Sequence, residues 1–354
     1  MRDGNVFADR LEALARRVSR RRLDAALIFG EANIRSVTDV VCDNGCLVVR
    51  PGADPVFVTD FRYVPMAHRV APWLKTVQLR HGQGFADAAK AVLPRSVRRL
   101  GYEGTISANR YQALRKAFRR AAFADVADDV LALRAVKTLP EIAKITRAVA
   151  LNDEIWSLSR REMRHGMTEK DIQRVIRGFM NALGDGEAFE TIVCAGANAA
   201  ECHHVPDGTV WRRGEPLLVD MGVKLDGVCS DMTRCVRGRD TRYRDIYSIV
   251  LEANRAAIAA ARPGLTCGAL DKVARDVIHR AGYGRAFGHS LGHGVGYEIH
   301  EEPTARAKSK TVLEPGMFVT IEPGIYLEGE LGVRIEDLVL ITPDGCEVVT
   351  RSRK

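Results

Sequence analysis

No apolar run in this 354-residue chain approaches the ~18 residues that a membrane-spanning helix requires, so no membrane partner is expected. The opening stretch, MRDGNVFADRLEALARRVSRRR, mixes acids into an amphipathic pattern and lacks the charged start, apolar core and cleavage site of a secretory leader. A cytoplasmic location is the expectation. CxxC pairs are missing too: the eight cysteines, at 42, 46, 194, 202, 229, 235, 267 and 346, lie scattered, which argues for reduced thiols over a disulfide framework or zinc knuckle. There is no long acidic or lysine-rich extension to act as a binding arm. Lysine and arginine exceed aspartate and glutamate by 53 to 45, a net charge of +8. The basic residues fall in short clusters, Arg16, Arg17, Arg20, Arg21 and Arg22, then Arg95, Arg98 and Arg99, then Arg351, Arg353 and Lys354, without interleaved aromatics for base stacking. They read as solvated arginines, and no nucleic-acid partner is expected.

With 46% hydrophobic and 28% charged residues, the chain has the length and balance for two cores. Residues 1–132 read as a small α/β domain, with strand candidates LDAALIFG, CLVVR, PVFVTD and RLGYE separated by helical stretches such as FADAAKAVL. No catalytic cluster appears there. A long helix begins near Leu139-Pro140-Glu141, where proline is tolerated in the first turn. The second domain, 133–354, contains an internal repeat: GMTEKDIQRVIRGFMNALG at 166–184 aligns without gaps on GLTCGALDKVARDVIHRAG at 264–282. Each copy reads as a threonine-capped amphipathic helix ended by glycine, preceded by another helix and followed by a hairpin. A pseudo-two-fold α/β (α+β) unit follows, with a curved antiparallel sheet backed by helices.

Those hairpins contain four acids. In LLVDMGVKLDGVCSDMTR, Asp226-Gly227 is a type I′ turn signal; if it forms the turn, Asp220 lies opposite Thr233, and Asp231 points to the same face. Glu322 in FVTIEPGIYL and Glu336 in LGVRIEDLVL repeat the arrangement around the tip Glu328-Gly329-Glu330, on runs whose valines and isoleucines favour strand. A lone aspartate beside a D-G turn is ordinarily a solvated turn residue. Acids embedded in apolar strands need a partner, however, because carboxylates are rarely buried alone.

His293, in GHSLGHGVG, is a single imidazole among glycines that permit close backbone approach. Together Asp220, Asp231, His293, Glu322 and Glu336 make the donor inventory of a two-metal hydrolytic site, since four carboxylates balance two divalent cations. An acid-rich set suits Mn2+, with Co2+, Fe2+ or Zn2+ as alternatives. Two ions of this kind lower the pKa of a shared water and polarise a carbonyl.

VDMG, SDMTR, GHxxGHGxG, IEPGIY and GVRIED, in this order, resemble the signature of the pita-bread metallopeptidases: methionine aminopeptidase, Xaa-Pro aminopeptidase, Xaa-Pro dipeptidase (prolidase) and creatinase. DNGCLVVRPGADPVFVTDFRY resembles the smaller N-terminal domain of the prolidase and creatinase branch. The resemblance implies hydrolysis of the bond between an N-terminal residue and proline by hydroxide generated at the metal pair. It makes the five residues above the ligands, with Asp231 and Glu336 bridging and Glu322 as proton acceptor and later donor. It also implies that His203 contacts substrate and assists proton transfer, that His289 and His300 contact the peptide and the tetrahedral intermediate, and that Arg334 lines the site. A homodimer is implied, with N-terminal domains that close over the site and limit substrate length.

One position departs from the family pattern: where proline commonly precedes the first histidine of the pair, this chain has Glu201-Cys202-His203-His204. A Cys202/His203 nucleophilic pair is disfavoured because chain neighbours on an extended segment point to opposite faces. Two further readings stay open, a hydrolase or lyase acting on a small non-peptide substrate and a non-catalytic relative that binds a partner. Relatives of the latter kind lose ligands, and none is lost here.

Overall fold

The structure is a computed structural model that describes residues 6–354, so the first five residues of the amphipathic opening lie outside the described residues. Two compact units divide the chain, Met1–Arg134 and Ala135–Lys354.

In the first unit six strands form one mixed sheet in the order β4-β3-β2-β1-β5-β6. They are β1 (Ala25–Ile28), β2 (Gly45–Arg50), β3 (Ala53–Thr59), β4 (Lys75–Gln78), β5 (Arg99–Tyr102) and β6 (Ala122–Asp125). Neighbours β1–β2 and β2–β3 run antiparallel and the others parallel. The helices are α1 (Val6–Arg20), α2 (Glu31–Thr38), α3 (Val64–Val70), α4 (Phe85–Val92), α5 (Ala108–Ala117) and α6 (Ala127–Ala135). Alternate residues of β1 and β2 feed two separate cores. Ala26, Ile28, Leu47 and Val49 pack with Leu14 and Val18 of α1 and Ile34 and Val37 of α2. Ala25, Leu27, Cys46 and Val48 pack with Ala89 of α4 and Leu114 of α5. A central strand covered by helices on both faces has no polar side to show, which is why these segments read as unbroken apolar runs.

The second unit opens with α7 (Leu139–Glu162), started by a capping box of Thr138 and Glu141. A second box, Thr168 with Asp171, starts α8 (Glu169–Leu183), which ends at Gly184. Then come β7 (Ile192–Ala195), β8 (Leu217–Met221), β9 (Lys224–Leu225), β10 (Val228–Cys229) and β11 (Met232–Val236). The second half repeats the plan with α9 (Thr241–Ala260), α10 (Cys267–Arg280), β12 (Gly292–Gly294), β13 (Glu301–Ala305), β14 (Phe318–Ile321), β15 (Gly324–Leu327), β16 (Leu331–Arg334), β17 (Asp337–Thr342) and β18 (Gly345–Val348). Thr266 caps α10 as Thr168 caps α8.

The repeat extends into tethers between helix and strand. Gln173 and Asp271 occupy equivalent positions; Gln173 Nε2 donates to Thr191 O at 2.8 Å ahead of β7, and Asp271 Oδ1 accepts from Leu291 N at 3.1 Å ahead of β12. Asn152 of α7 donates to Met221 O at 3.0 Å, and Asn254 of α9 donates to Ile321 O at 2.9 Å. Each asparagine therefore fixes the residue next to one of the four acids. Antiparallel sheets β11-β8-β7 and β14-β17-β18 are backed by these helices. Ile155, Ile172 and Ile176 pack on Val193, Leu217 and Val219, while Ile246, Val250 and Leu270 pack on Val319, Ile321 and Val339. Each such side chain, fully buried, contributes about 1.5–3 kcal/mol. This pseudo-two-fold unit of antiparallel strands backed by helices is the pita-bread arrangement.

Candidate metal centre

Turn chemistry sets the first hairpin. Asp226 and Gly227 both have positive φ, 52° and 70°, as a type I′ turn demands, and the register that follows pairs Thr233 with Asp220. The ladder breaks at Gly222-Val223 and Ser230-Asp231, between the β8–β11 and β9–β10 pairs. A Cβ at Gly222 would stand 2.2 Å from Ser230 O, so only glycine lets the strands approach there. Asp231 thus sits in the break, buried, rather than within a strand.

The second hairpin bends in the same way. Ile321 pairs with Asp337 and Gly324 with Arg334, which leaves Glu322-Pro323 and Ile335-Glu336 in the gap between two ladders. Pro323 has no N–H to place in a ladder, and the strand ends there. His293 comes from β12, whose Gly292 lies so close to β14 that a Cβ would be 1.9 Å from Thr320 O. That approach puts His293 Nε2 3.3 Å from Glu322 Oε1 and 3.6 Å from Asp231 Oδ2. Its Nδ1 lies 3.1 Å from Gly294 O. A proton on Nδ1 satisfies that carbonyl and leaves the Nε2 lone pair facing the acids, the tautomer a metal ligand needs.

One donor atom from each of Asp231, His293 and Glu336 lies within 4.8 Å of the other two. Asp220 Oδ1 and Glu336 Oε1 are buried without a hydrogen-bond partner. Burial, followed by the charges of Glu336, Asp220 and Glu322, raises the Asp231 carboxyl well above its ordinary range. Glu336 is raised in the same way by burial, Glu322 and Asp220. Burial pushes Glu322 up to about 8, with Asp220 adding to the effect and Arg334 opposing it. Orphaned carboxylate oxygens and mutually repelling acids in a dry site are costly, and divalent cations between them remove both penalties. The donor set fits such cations.

Arg334 ties the surroundings together. Its Nη2 is 2.6 Å from Asp220 Oδ2, Nε donates to Thr233 Oγ1 at 2.9 Å, and Nη1 donates to Tyr326 OH at 2.9 Å and to Cys202 O at 3.3 Å. Thr233 Oγ1 in turn donates to Glu336 Oε2 at 2.8 Å. Thr320 Oγ1 donates to Glu322 Oε1 at 3.0 Å and accepts from His293 N at 2.9 Å. His289 Nε2 meets Tyr326 OH at 2.9 Å while Nδ1 meets Ser290 O at 2.8 Å. Burial drives His289 down to about 4, opposed by the Ser290 carbonyl and reinforced by the charges of Arg334, Arg275 and His203. His300 packs its ring edge-on against His293 at 4.4 Å, and burial, His293 and His203 lower it. His203, exposed, is near enough for its charge to act on both. The sequence marked Thr233 only as the residue opposite Asp220 and gave Thr320 and Tyr326 no role. Gly324 leaves room for the Tyr326 ring, since a Cβ there would stand 2.5 Å from Tyr326 OH.

Fold and donor set define the class first: a metal-dependent hydrolase of pita-bread architecture. Residues 143–343 match metallopeptidase family M24, and residues 10–136 match the creatinase/prolidase N-terminal domain. The chain belongs to metallopeptidase family M24. It is 33% identical over 350 residues to a Xaa-Pro dipeptidase of Pyrococcus furiosus, covering 98% of this chain and 99% of that one. Among solved structures, a Xaa-Pro dipeptidase from Bacillus anthracis superposes with a TM-score of 0.93 at 35% identity, covering 98% of both chains. A X-Pro aminopeptidase from Thermotoga maritima gives 0.85 at 32% identity, covering 95% of this chain and 97% of that one.

Proposed function

We propose that this metallopeptidase hydrolyses the bond between an N-terminal residue and a following proline. The observation that carries the reading is the cluster of donor atoms on Asp231, His293 and Glu336, with buried, unpartnered oxygens on Asp220 and Glu336, in a chain alike over nearly its whole length to proteins named for Xaa-Pro cleavage. Asp220, Asp231, His293, Glu322 and Glu336 would hold two divalent cations, Mn2+ first and Co2+, Fe2+ or Zn2+ as alternatives. When bound, the pair supplies an activated water and a Lewis acid for the scissile carbonyl.

The chain's own residues do the rest. Thr320 engages Glu322 Oε1, and the other Glu322 oxygen takes the proton of the attacking water and returns it to the leaving nitrogen. His289 is fixed as the Nδ1–H tautomer by Ser290 O, with Tyr326 OH at its Nε2; it stays neutral at neutral pH and presents an uncharged wall to the peptide. His203 and His300 donate to substrate oxygens, a stabilisation worth a few kcal/mol in the transition state. Arg334 holds Asp220 in place.

Residues 133–354 carry the reaction, and 1–132 form the domain that limits substrate length in a homodimer. Eight free cysteines, five of them buried, support a reducing, cytoplasmic location. No helix among the described residues is long and apolar enough to cross a membrane, and no nucleic-acid partner is invoked. The test is release of alanine from Ala-Pro and from Ala-Pro-Ala by the Mn2+-loaded protein, with and without chelator. Chelator-sensitive cleavage of the tripeptide makes it an aminopeptidase and cleavage of the dipeptide alone a dipeptidase. If neither is cut while metal is bound, proline specificity fails.

A further inference from the structure

Glu169, the first residue of α8, is fully buried, and its carboxylate gathers four hydrogen bonds from separate points of the chain. Oε1 accepts from Ala195 N at 2.7 Å and Asn198 Nδ2 at 2.9 Å. Oε2 accepts from Asp207 N at 3.0 Å and pairs with His204 Nε2 at 2.8 Å. The other ring nitrogen of His204, Nδ1, faces Glu201 Oε2 at 3.3 Å. An imidazole with a carboxylate at each nitrogen satisfies both only when it carries two protons. Burial opposes that charge, but bonds to Glu169 and Glu201 and the charges of Glu169 and Asp207 outweigh it and raise the pKa.

The same three side chains, Glu169, His204 and Asp207, bring donor atoms within 4.8 Å of one another, as a cation site would. Both Glu169 oxygens are nevertheless taken up by N–H donors, so the cluster is a hydrogen-bond hub. What the hub ties down is the end of β7, the turn Gly196–Ala200 and the irregular segment that follows through Asp207. His203 lies in that segment, beside the anchored His204, with its own side of the chain exposed. An irregular surface segment without such a tether samples many conformations, whereas a group that must meet substrate has to be held within a fraction of an ångström.

We propose that Glu169 and His204 are positioning residues that fix the segment 201–207 so that His203 is presented to the substrate beside His289 and His300. This rests on the role proposed above for His203. In the Glu169→Gln variant, an amide nitrogen must face the His204 and Asp207 N–H groups, or else abandon Ala195 and Asn198. The expected result on an Xaa-Pro peptide is a roughly 10- to 100-fold lower kcat with KM and bound metal unchanged, the scale of loss for a misplaced group. His204→Ala should behave alike and serves if Glu169→Gln does not fold. In a His203→Ala background neither change should lower kcat further, because the placement of an absent ring has no effect. An equal loss with and without His203 overturns the inference. A His203→Ala enzyme as active as the wild type overturns the role of His203 and the inference with it. If the wild type cuts no Xaa-Pro peptide, the functional reading fails separately, and hydrogen exchange decides the tether. Faster exchange confined to 195–207 in Glu169→Gln supports the tether, and unchanged exchange there overturns it.

Discussion

Arg334 Nη2 stands 2.6 Å from Asp220 Oδ2, with side-chain exposures of only 3% and 13%, so one guanidinium neutralises an acid of the candidate metal centre from behind. The same group also reaches Thr233 and Tyr326. A planar fork with five donors can serve three directions at once, and an ammonium cannot. Arg334→Lys keeps the charge but should lower kcat/KM by about 100-fold, while guanidinium-free Arg334→Met should also lose about 3 kcal/mol of stability in the metal-free protein, where the largely buried Asp220 is left unpaired. Steady-state kinetics and urea unfolding check the two parts. Near-wild-type activity in Arg334→Lys would refute the argument from geometry.

Asp231 is buried among Glu336, Asp220 and Glu322, and its carboxyl is raised first by burial and then by their charges. A neutral amide at this position offers cations no negative charge and a weaker donor than the carboxylate. Asp231→Asn should therefore bind fewer than two ions per chain and lose hydrolysis, measured by metal analysis after dialysis and by release of alanine. Full turnover in a metal-loaded Asp231→Asn protein would defeat the two-cation centre.

Much of this site is legible in the sequence because its signals are local. Asp226-Gly227 can take two positive φ values in succession, which fixes the turn, and the turn fixes Asp220 opposite Thr233. The threonine caps of α8 and α10 are equally local. The bends are not: Asp231, Glu322 and Glu336 lie in breaks between ladders rather than inside the apolar runs that announce them, because Gly222 and Pro323 interrupt the pairing. Asn152 and Asn254 reach their carbonyls across 69 and 67 residues, a separation that leaves no periodic trace. In the first unit β4 and β6 were not anticipated; both are four-residue sheet edges with partly exposed patterns and weak apolar signals.

Thr233 Oγ1 donates to Glu336 at 2.8 Å and accepts from Arg334 at 2.9 Å, so one hydroxyl orients a candidate ligand and satisfies a guanidinium N–H. Thr233→Val has nearly the same shape and neither function. Groups of this kind typically change metal affinity by about 10- to 100-fold. The expected result is weaker Mn2+ binding by that factor in a calorimetric titration, with the fold intact by circular dichroism; unaltered affinity would remove Thr233 from the centre.

His289 gives a pH dependence with a definite sign. Its folded-state pKa is lowered, chiefly by burial, from 6.5 to about 4. As pH falls, the unfolded chain takes up this proton first, so stability is lost through the window from 6.5 down to about 4 and is unaffected above it. The loss between pH 7 and pH 5 is on the order of 2 kcal/mol. A His289→Gln variant should lack this increment in urea unfolding at the two pH values. Equal pH dependence in variant and wild type would mean that the ring is not held neutral.

Gly292 is a point of close backbone approach at the centre, since a Cβ there would lie 1.9 Å from Thr320 O and 2.5 Å from Thr320 Oγ1. The neighbour is backbone of β14 and cannot rotate away. In Gly292→Ala, β12 must move outward, which draws His293 Nε2 away from Glu322 and Asp231, now 3.3 Å and 3.6 Å distant. Overpacking of this kind costs about 3 kcal/mol, and displaced His293 should weaken metal binding as well. Gly288→Ala is the control, because no atom lies within 4 Å of its Cβ position. The expectation is a lowered melting temperature and reduced metal content for Gly292→Ala alone. Parallel behaviour of the two variants would show that close approach of β12 to β14 is not what places His293.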